Sequence, residues 1–310
     1  GHRGLSRSTS GISSSVVSKR RKQTQQAGPA TPVRAKVRDV FVVRPFEGLR
    51  DEGDWVALRE LVPAATAPLR LAPELVDRYG DRQVTVSTVL PMAWPALTKP
   101  DGRIFLGLQR STQSGDVSRD IALSLLLALE AEPGGPVNVP ALPGAGPRLQ
   151  DVTDNGGLDI AMRDGFDFWL DEDATDPEVK ASLERANATV FPTVKLASAP
   201  SAYWCRFPEK AHVRWVLPDE EDAALAALSR LSAAGELTLG KDTKFAGMFR
   251  AHGLLVPVWD LPHAPEAADW EGPVREFADR YALALTGQGE LDAAARRARQ
   301  GLLGRQLTLR

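Results

Sequence analysis

Few side chains in this sequence could do nucleophilic chemistry. Cys205 and His212 stand seven residues apart. A thiol and an imidazole act together only within hydrogen-bond reach, with a third group orienting the ring. Cys205 has Trp204 beside it and Phe207 nearby, a setting that suits a small buried hydrophobe better than a nucleophile. No local protease signature accompanies the pair. Cys205 is the chain's one cysteine, so neither an internal disulfide nor a Cys-based zinc site can form within one chain. His252 precedes Gly253; at the end of a helix, an imidazole there would suit the dipole. His263 lies in a Pro-rich loop and reads as exposed.

The stretch Asp151–Glu178 holds ten acids and one base, Arg163. It is not a calcium loop. From Asp151 the spacing is wrong; from Asp171 the series breaks at Thr175, Asp176 falls where the glycine belongs, and Ser182 replaces the closing glutamate. A solvated acidic loop is expected, and no metal or cofactor. Gly102, Gly107 and Gly115 have the wrong spacing for a dinucleotide turn, and Gly144-Ala145-Gly146 precedes no clear helix.

Charge is distributed very unevenly. Residues 1–38 hold nine bases and no acid. Of 38 Lys and Arg, 29 remain to face 40 acids beyond residue 38. A basic tail therefore joins an acidic body. The tail is Ser, Gly, Gln and Thr with few large apolar side chains, so it is expected to be disordered. Its bases Lys19, Arg20, Arg21, Lys22, Arg34, Lys36 and Arg38 are the candidate polyanion contacts, to RNA, DNA or the ribosome, without sequence reading. The tail has no aromatic residue for base stacking. It resembles a transit peptide in composition but lacks an amphipathic apolar face. Gly1-His2 is not a natural start, and Val17 is a candidate start residue. No run approaches the ~18 apolar residues of a membrane span, and a cytoplasmic protein with no membrane partner is expected.

The elements that must position these groups are legible in part. Glu52–Leu61 reads as a helix, Gln83–Leu90 and Arg103–Gln109 as strands, and Asp116 or Ser118 caps an apolar helix to Glu130. Between the strands, Lys99-Pro100-Asp101-Gly102 is a turn. Pro177–Ala186 reads as a helix behind Asp176, Thr189–Leu196 and residues 210–217 as strands, and Asp219 opens a helix to Ala234. Thr243–His252 reads as a helix leading into the strand Leu254–Trp259. Pro273–Gly304 reads as two helices broken at Gly287-Gln288-Gly289, the last one basic. The pattern helix, strand, strand, helix occurs twice. The expectation is α+β, with mostly antiparallel sheets, two loosely similar halves and a helical C-terminus. The expected divisions are residues 1–36, 37–147, 148–265 and 266–310.

Three stretches carry a resemblance: Leu58–Leu69; Gly157–Ile160 with Asp164–Trp169; and Phe245–Leu261. With the basic tail they resemble an actinobacterial family of unknown function whose members are often labelled topoisomerase II or preprotein translocase SecA-like. The resemblance implies an actinobacterial cytoplasmic protein and no activity. Both labels fail on chemistry. The chain has three tyrosines, is too short for a topoisomerase, and has no phosphate-binding loop.

Of seven tryptophans, Trp94 among prolines and Trp270 among charges are the candidate interface anchors. The reading is a binding or adaptor protein. Its tail would contact nucleic acid or the ribosome, and its acidic body a protein partner. The alternative is an enzyme assembled from His212, His252, Asp164 and the acids of 151–178.

Overall fold

The computed structural model describes residues 28–29, 36–171 and 173–308. Lys19, Arg20, Arg21, Lys22 and Arg34 lie outside them, as does the expected disorder of the tail; Lys36 and Arg38 are described and exposed. All that follows concerns the unit beginning at Val37.

The chain runs α1 (Glu52–Glu60), β1 (Ala65–Leu69), α2 (Pro73–Tyr79), β2 (Val84–Ser87), β3 (Ala96–Thr98), β4 (Ile104–Gly107), α3 (Val117–Glu130), β5 (Gly135–Pro136), α4 (Leu149–Val152) and β6 (Ala161–Met162). It continues α5 (Pro177–Ala188), β7 (Thr193–Lys195), β8 (Ala202–Arg206), β9 (Ala211–Trp215), α6 (Glu221–Ala233), β10 (Lys244–Ala251), β11 (Leu254–Leu261), α7 (Glu271–Leu285) and α8 (Ala293–Leu303). The fold is α+β with two mostly antiparallel sheets.

The first sheet has the order β5-β3-β4-β2-β1-β6. Its turn Lys99–Gly102 joins β3 to β4 as an antiparallel hairpin. The two strands read most plainly from sequence, β2 and β4, are parallel neighbours instead; β3 is the link between them that the prolines around Trp94 concealed. β1 was hidden likewise, because Val62–Pro68 reads as a proline-rich loop. Pro68 is tolerated because β6 pairs only with Ala65 and Thr66, which leaves Pro68 on an edge.

The second sheet is a meander, β10-β11-β9-β8-β7, antiparallel throughout. Thr243–His252 is strand β10, not a helix. Phe245, Met248, Phe249 and His252 have helical spacing, but a bulge between Phe245 and Gly247 breaks the period of two that would have marked a strand. His252 and Gly253 both have positive φ, 48° and 82°, as a two-residue hairpin turn requires. Residues 305–307 then lie along β10: Met248 N donates to Arg305 O at 3.1 Å, and Leu307 N to Met248 O at 2.8 Å.

Each face of the meander meets a separate core. Trp204, Trp215, Met248, Leu255 and Trp259 face α6, α7 and α8. There Trp259 meets Phe277 edge-on at 4.9 Å between centroids. Tyr203, Phe249, Leu254 and Val256 belong to the other core, with Phe46, Trp55 and Leu58, and with Ile121 and Leu125 of α3. The outer side of the first sheet is covered by Phe166, Trp169 and Leu183. The acidic stretch is thereby pinned through its aromatics, Phe166 stacking on Trp169 at 4.7 Å, while Asp164 and Asp167 stay exposed.

The caps follow sequence. Asp116 accepts from Arg119 N at 3.3 Å ahead of α3, and Asp176 from Glu178 N at 2.9 Å ahead of α5. Such caps are each worth about 1 kcal/mol.

Candidate functional site

An open cleft of about 460 Å³ lies where the end of α1 meets the segment after β4. It is lined by Arg59, Glu60, Val89, Ala93, Gln109, Arg110 and Ser111. Gln109 holds the two walls together: its Nε2 donates to Leu58 O and Val62 O, both at 3.3 Å. Those are carbonyls at a helix end, which lack partners of their own. On the far wall, Met92 and Ala93 take positive φ, 53° and 54°, and Met92 N donates to Ser182 Oγ at 3.0 Å. Gly107 is required below: a Cβ there would lie 2.5 Å from Trp94 O.

The side chains of the cleft fall into two sets. Glu60 is engaged: its Oε1 lies 2.7 Å from His252 Nε2 and 3.6 Å from Arg59 Nη1. The ring of His252 is held edge-on to Phe46 at 5.4 Å. Arg59 also donates through Nη2 to Gln113 Oε1. The other set is unpaired. Arg110 Nε and Nη1, and Arg59 Nε, are buried and have no hydrogen-bond partner among the described residues. Burial pulls the Arg110 pKa down from its usual value, Asp120 opposes that, and Arg59 adds to it. A guanidinium stays charged through such a shift. Its planar fork fits the oxygens of a carboxylate or phosphate. The cleft is thereby lined by two guanidiniums, with the hydroxyl of Ser111 at the exposed lip.

The other candidates are not gathered here. His212 lies in β9 beside Asp260 of β11, with Nδ1 2.9 Å from Asp260 Oδ1; neither atom has the alignment of a hydrogen bond. Cys205 is directly across from His212 in the ladder. It is 2% exposed, and burial pushes its thiol pKa up, as in an unreactive cysteine. His252 sits at the opposite end of β11 from Asp260, about 20 Å away at ~3.3 Å per residue. Asp164 is exposed in the loop before Phe166. His212 and His252 thus do not share a site, and Asp164 is not among the residues that line the cleft. Among the described residues, no three His, Cys, Asp or Glu are grouped as metal ligands would be. Trp94 is partly buried against the outer aromatic cluster. Trp270 is 7% exposed in the helical core, its indole nitrogen without a partner among the described residues.

Sequence reading missed the cleft, although Arg59 and Glu60 belong to a helix it recognised and Gln109 ends a strand it recognised. Their meeting depends on β4 lying beside β2, and a parallel pairing leaves no mark on the intervening turn. His252 could have been found: His-Gly between two apolar runs is a hairpin signal.

The model of a family of unknown function, DUF5926, matches residues 45–310. The chain belongs to that family. No curated protein matches it, nor does any solved structure. Among the described residues, no helix is long and apolar enough to cross a membrane.

Proposed function

We propose that this chain is a cytoplasmic binding protein whose body grips an oxyanion of its partner in the Arg59–Arg110 cleft. Its basic tract, residues 1–38, adds a polyanion contact of which nucleic acid or the ribosome is one form. The observation that carries the reading is the pair of guanidiniums lining the cleft, three of whose buried N–H groups have no acceptor among the described residues. A buried donor left unpaired costs about 1–3 kcal/mol, and a site that bears such a cost is explained by a ligand that removes it. Glu60, tied to His252, positions Arg59 without neutralising Arg110. A carboxylate on a protein partner fits the fork, as does a phosphate.

The test is thermal unfolding of the full chain with inorganic phosphate, sulfate or acetate, beside Arg110→Met. A ligand that binds only the folded state raises Tm with its concentration. The expected result is a rise of a few degrees in the native chain that Arg110→Met abolishes. Equal rises in both proteins would remove the cleft from the argument.

A further inference from the structure

The last helix reverses the charge of the body around it. Beyond residue 38 the chain has 29 bases and 40 acids. Residues 293–305, which are α8 and the two that follow it, hold four arginines and no acid: Arg296, Arg297, Arg299 and Arg305. One face of α8 is fixed to the fold. Ala295 and Leu302 are buried, Leu302 in the core that α6 and α7 also supply. Asp292 Oδ1 caps the helix by accepting from Ala295 N at 2.7 Å. The 3.6-residue turn then carries Arg296, Arg297 and Gln300 to the opposite side. All three are exposed, and Arg299 is half-buried on the flank. With Ala293 they line an open hollow of about 390 Å³. Arg305 is exposed just beyond, its carbonyl held by Met248 N at 3.1 Å.

These arginines do little for the fold. Among the described residues, their one side-chain hydrogen bond is Arg296 Nη1 to Leu291 O at 2.6 Å. No carboxylate of those residues lies within ion-pair distance of any of the four. Arg296 and Arg299, three residues apart, are helix neighbours of like charge and repel. The helix dipole favours acids, not bases, near this end. A basic face that opposes its own helix is explained by an anion supplied from outside.

Charge alone admits an acidic protein, an anionic bilayer or nucleic acid. A protein interface is built around an apolar core, and docking on a bilayer takes an apolar insertion beside the basic patch. The face of α8 offers neither. From Ala293 to Gln306 no large apolar side chain is exposed, and Leu303 packs against the helical core. Interfaces with nucleic acid are polar and strongly positive, and a guanidinium fork fits phosphate oxygens. Access to the helix is open as well: a Cβ on Gly301 would meet nothing within 4 Å. At ~1.5 Å per residue, α8 is roughly as long as four or five phosphates of one strand at ~3.4 Å each. We propose that α8 is a phosphodiester-binding face. Through it the body grips the backbone of nucleic acid without reading its sequence, separately from the basic tract and from the Arg59–Arg110 cleft.

The test is binding of the full chain to a short mixed-sequence DNA duplex over a range of salt. Polyglutamate and phosphatidylserine vesicles are parallel arms. Arg296→Gln with Arg297→Gln and Arg299→Gln is expected to weaken duplex binding about tenfold at about 0.1 M salt. The slope of log K against log salt should fall by about 2, since each duplex phosphate contact contributes ~0.9. Lysine at the same three positions is expected to restore the slope and most of the affinity, which separates lost charge from lost fold. A full-length variant with glutamine at Lys19, Arg20, Arg21 and Lys22 tests the tract on its own. An unchanged slope in the α8 glutamine variant would overturn the proposal, and a loss in the tract variant alone would leave the tract reading standing. A loss in the α8 variant alone would support the helix and remove the tract's contact. A lysine variant as weak as the glutamine one would overturn the charge contact. Binding to polyglutamate or to the vesicles as tight as to the duplex would overturn the choice of nucleic acid, and binding to none of the three would remove both the helix and the tract.

Discussion

Two arginines near the start of α3, Arg119 buried and Arg110 half-buried, are solved in opposite ways. Arg119 is 8% exposed and reaches four backbone carbonyls. Nε donates to Gly144 O and Nη1 to Pro147 O, both at 3.0 Å, and Nη2 reaches Pro143 O and Ala145 O at 3.4 Å. Gly146 is needed there, since a Cβ would lie 2.4 Å from Arg119 Nη2. Arg119 thus organises a loop of four prolines, residues 136–147, that has little regular structure of its own. Arg110, by contrast, has two buried N–H groups, on Nε and Nη1, with no acceptor among the described residues. The difference separates a guanidinium that holds the fold from one held ready for something outside it. Burial alone does not distinguish them; the inventory of acceptors does.

The largest effect is expected at Arg119. Arg119→Met should cost about 3 kcal/mol, because it strands buried carbonyls and frees the loop. Arg119→Lys should recover little of it, since a single ammonium cannot span the four oxygens. Urea unfolding reads both. Arg110→Met should do the reverse, leaving stability unchanged or raising it by about 1 kcal/mol as the orphaned donors disappear. A loss as large as that at Arg119 would mean that both arginines are structural.

The smallest effect extends the contrast to the histidines. Burial, with Arg214, lowers the His212 pKa below its ordinary 6.5, and Asp260 only partly offsets this. Above pH 6.5 the ring is neutral in both folded and unfolded chains. As the pH falls below that value, the unfolded chain takes up the proton first, so stability declines until the folded ring also protonates. The wild type should therefore lose stability relative to His212→Gln as the pH falls below 6.5. Parallel stability profiles would show that His212 is indifferent to its setting.

Much of the fold is legible in the sequence where a cap or a clean period marks it. Asp116 before α3 and Asp176 with Pro177 before α5 are read directly, and so are the α7–α8 break and the strand Leu254–Trp259, which the structure extends to Leu261. Where two signals conflict, the local one misleads. In β10 the bulge at Phe245–Gly247 shifts Met248 and Phe249 into helical spacing. In β1 a proline argues against a strand that tertiary pairing permits. The cleft fails to show for a different reason. Arg59 and Arg110 are ordinary surface-type residues in sequence, and what sets Arg110 apart is the absence of a partner, which only packing reveals.

The short pairing of residues 305–307 along Met248 has a consequence during synthesis. Every other strand of the meander has been translated by Leu261, yet one rim of β10 still waits for a segment made more than forty residues later. Until then the nascent sheet keeps unpaired amides facing outward, the kind of surface that recruits another chain. The interval in which this protein is prone to associate wrongly is therefore set by the time its last helix takes to be made, and a ribosome stalled within α8 would hold that rim open.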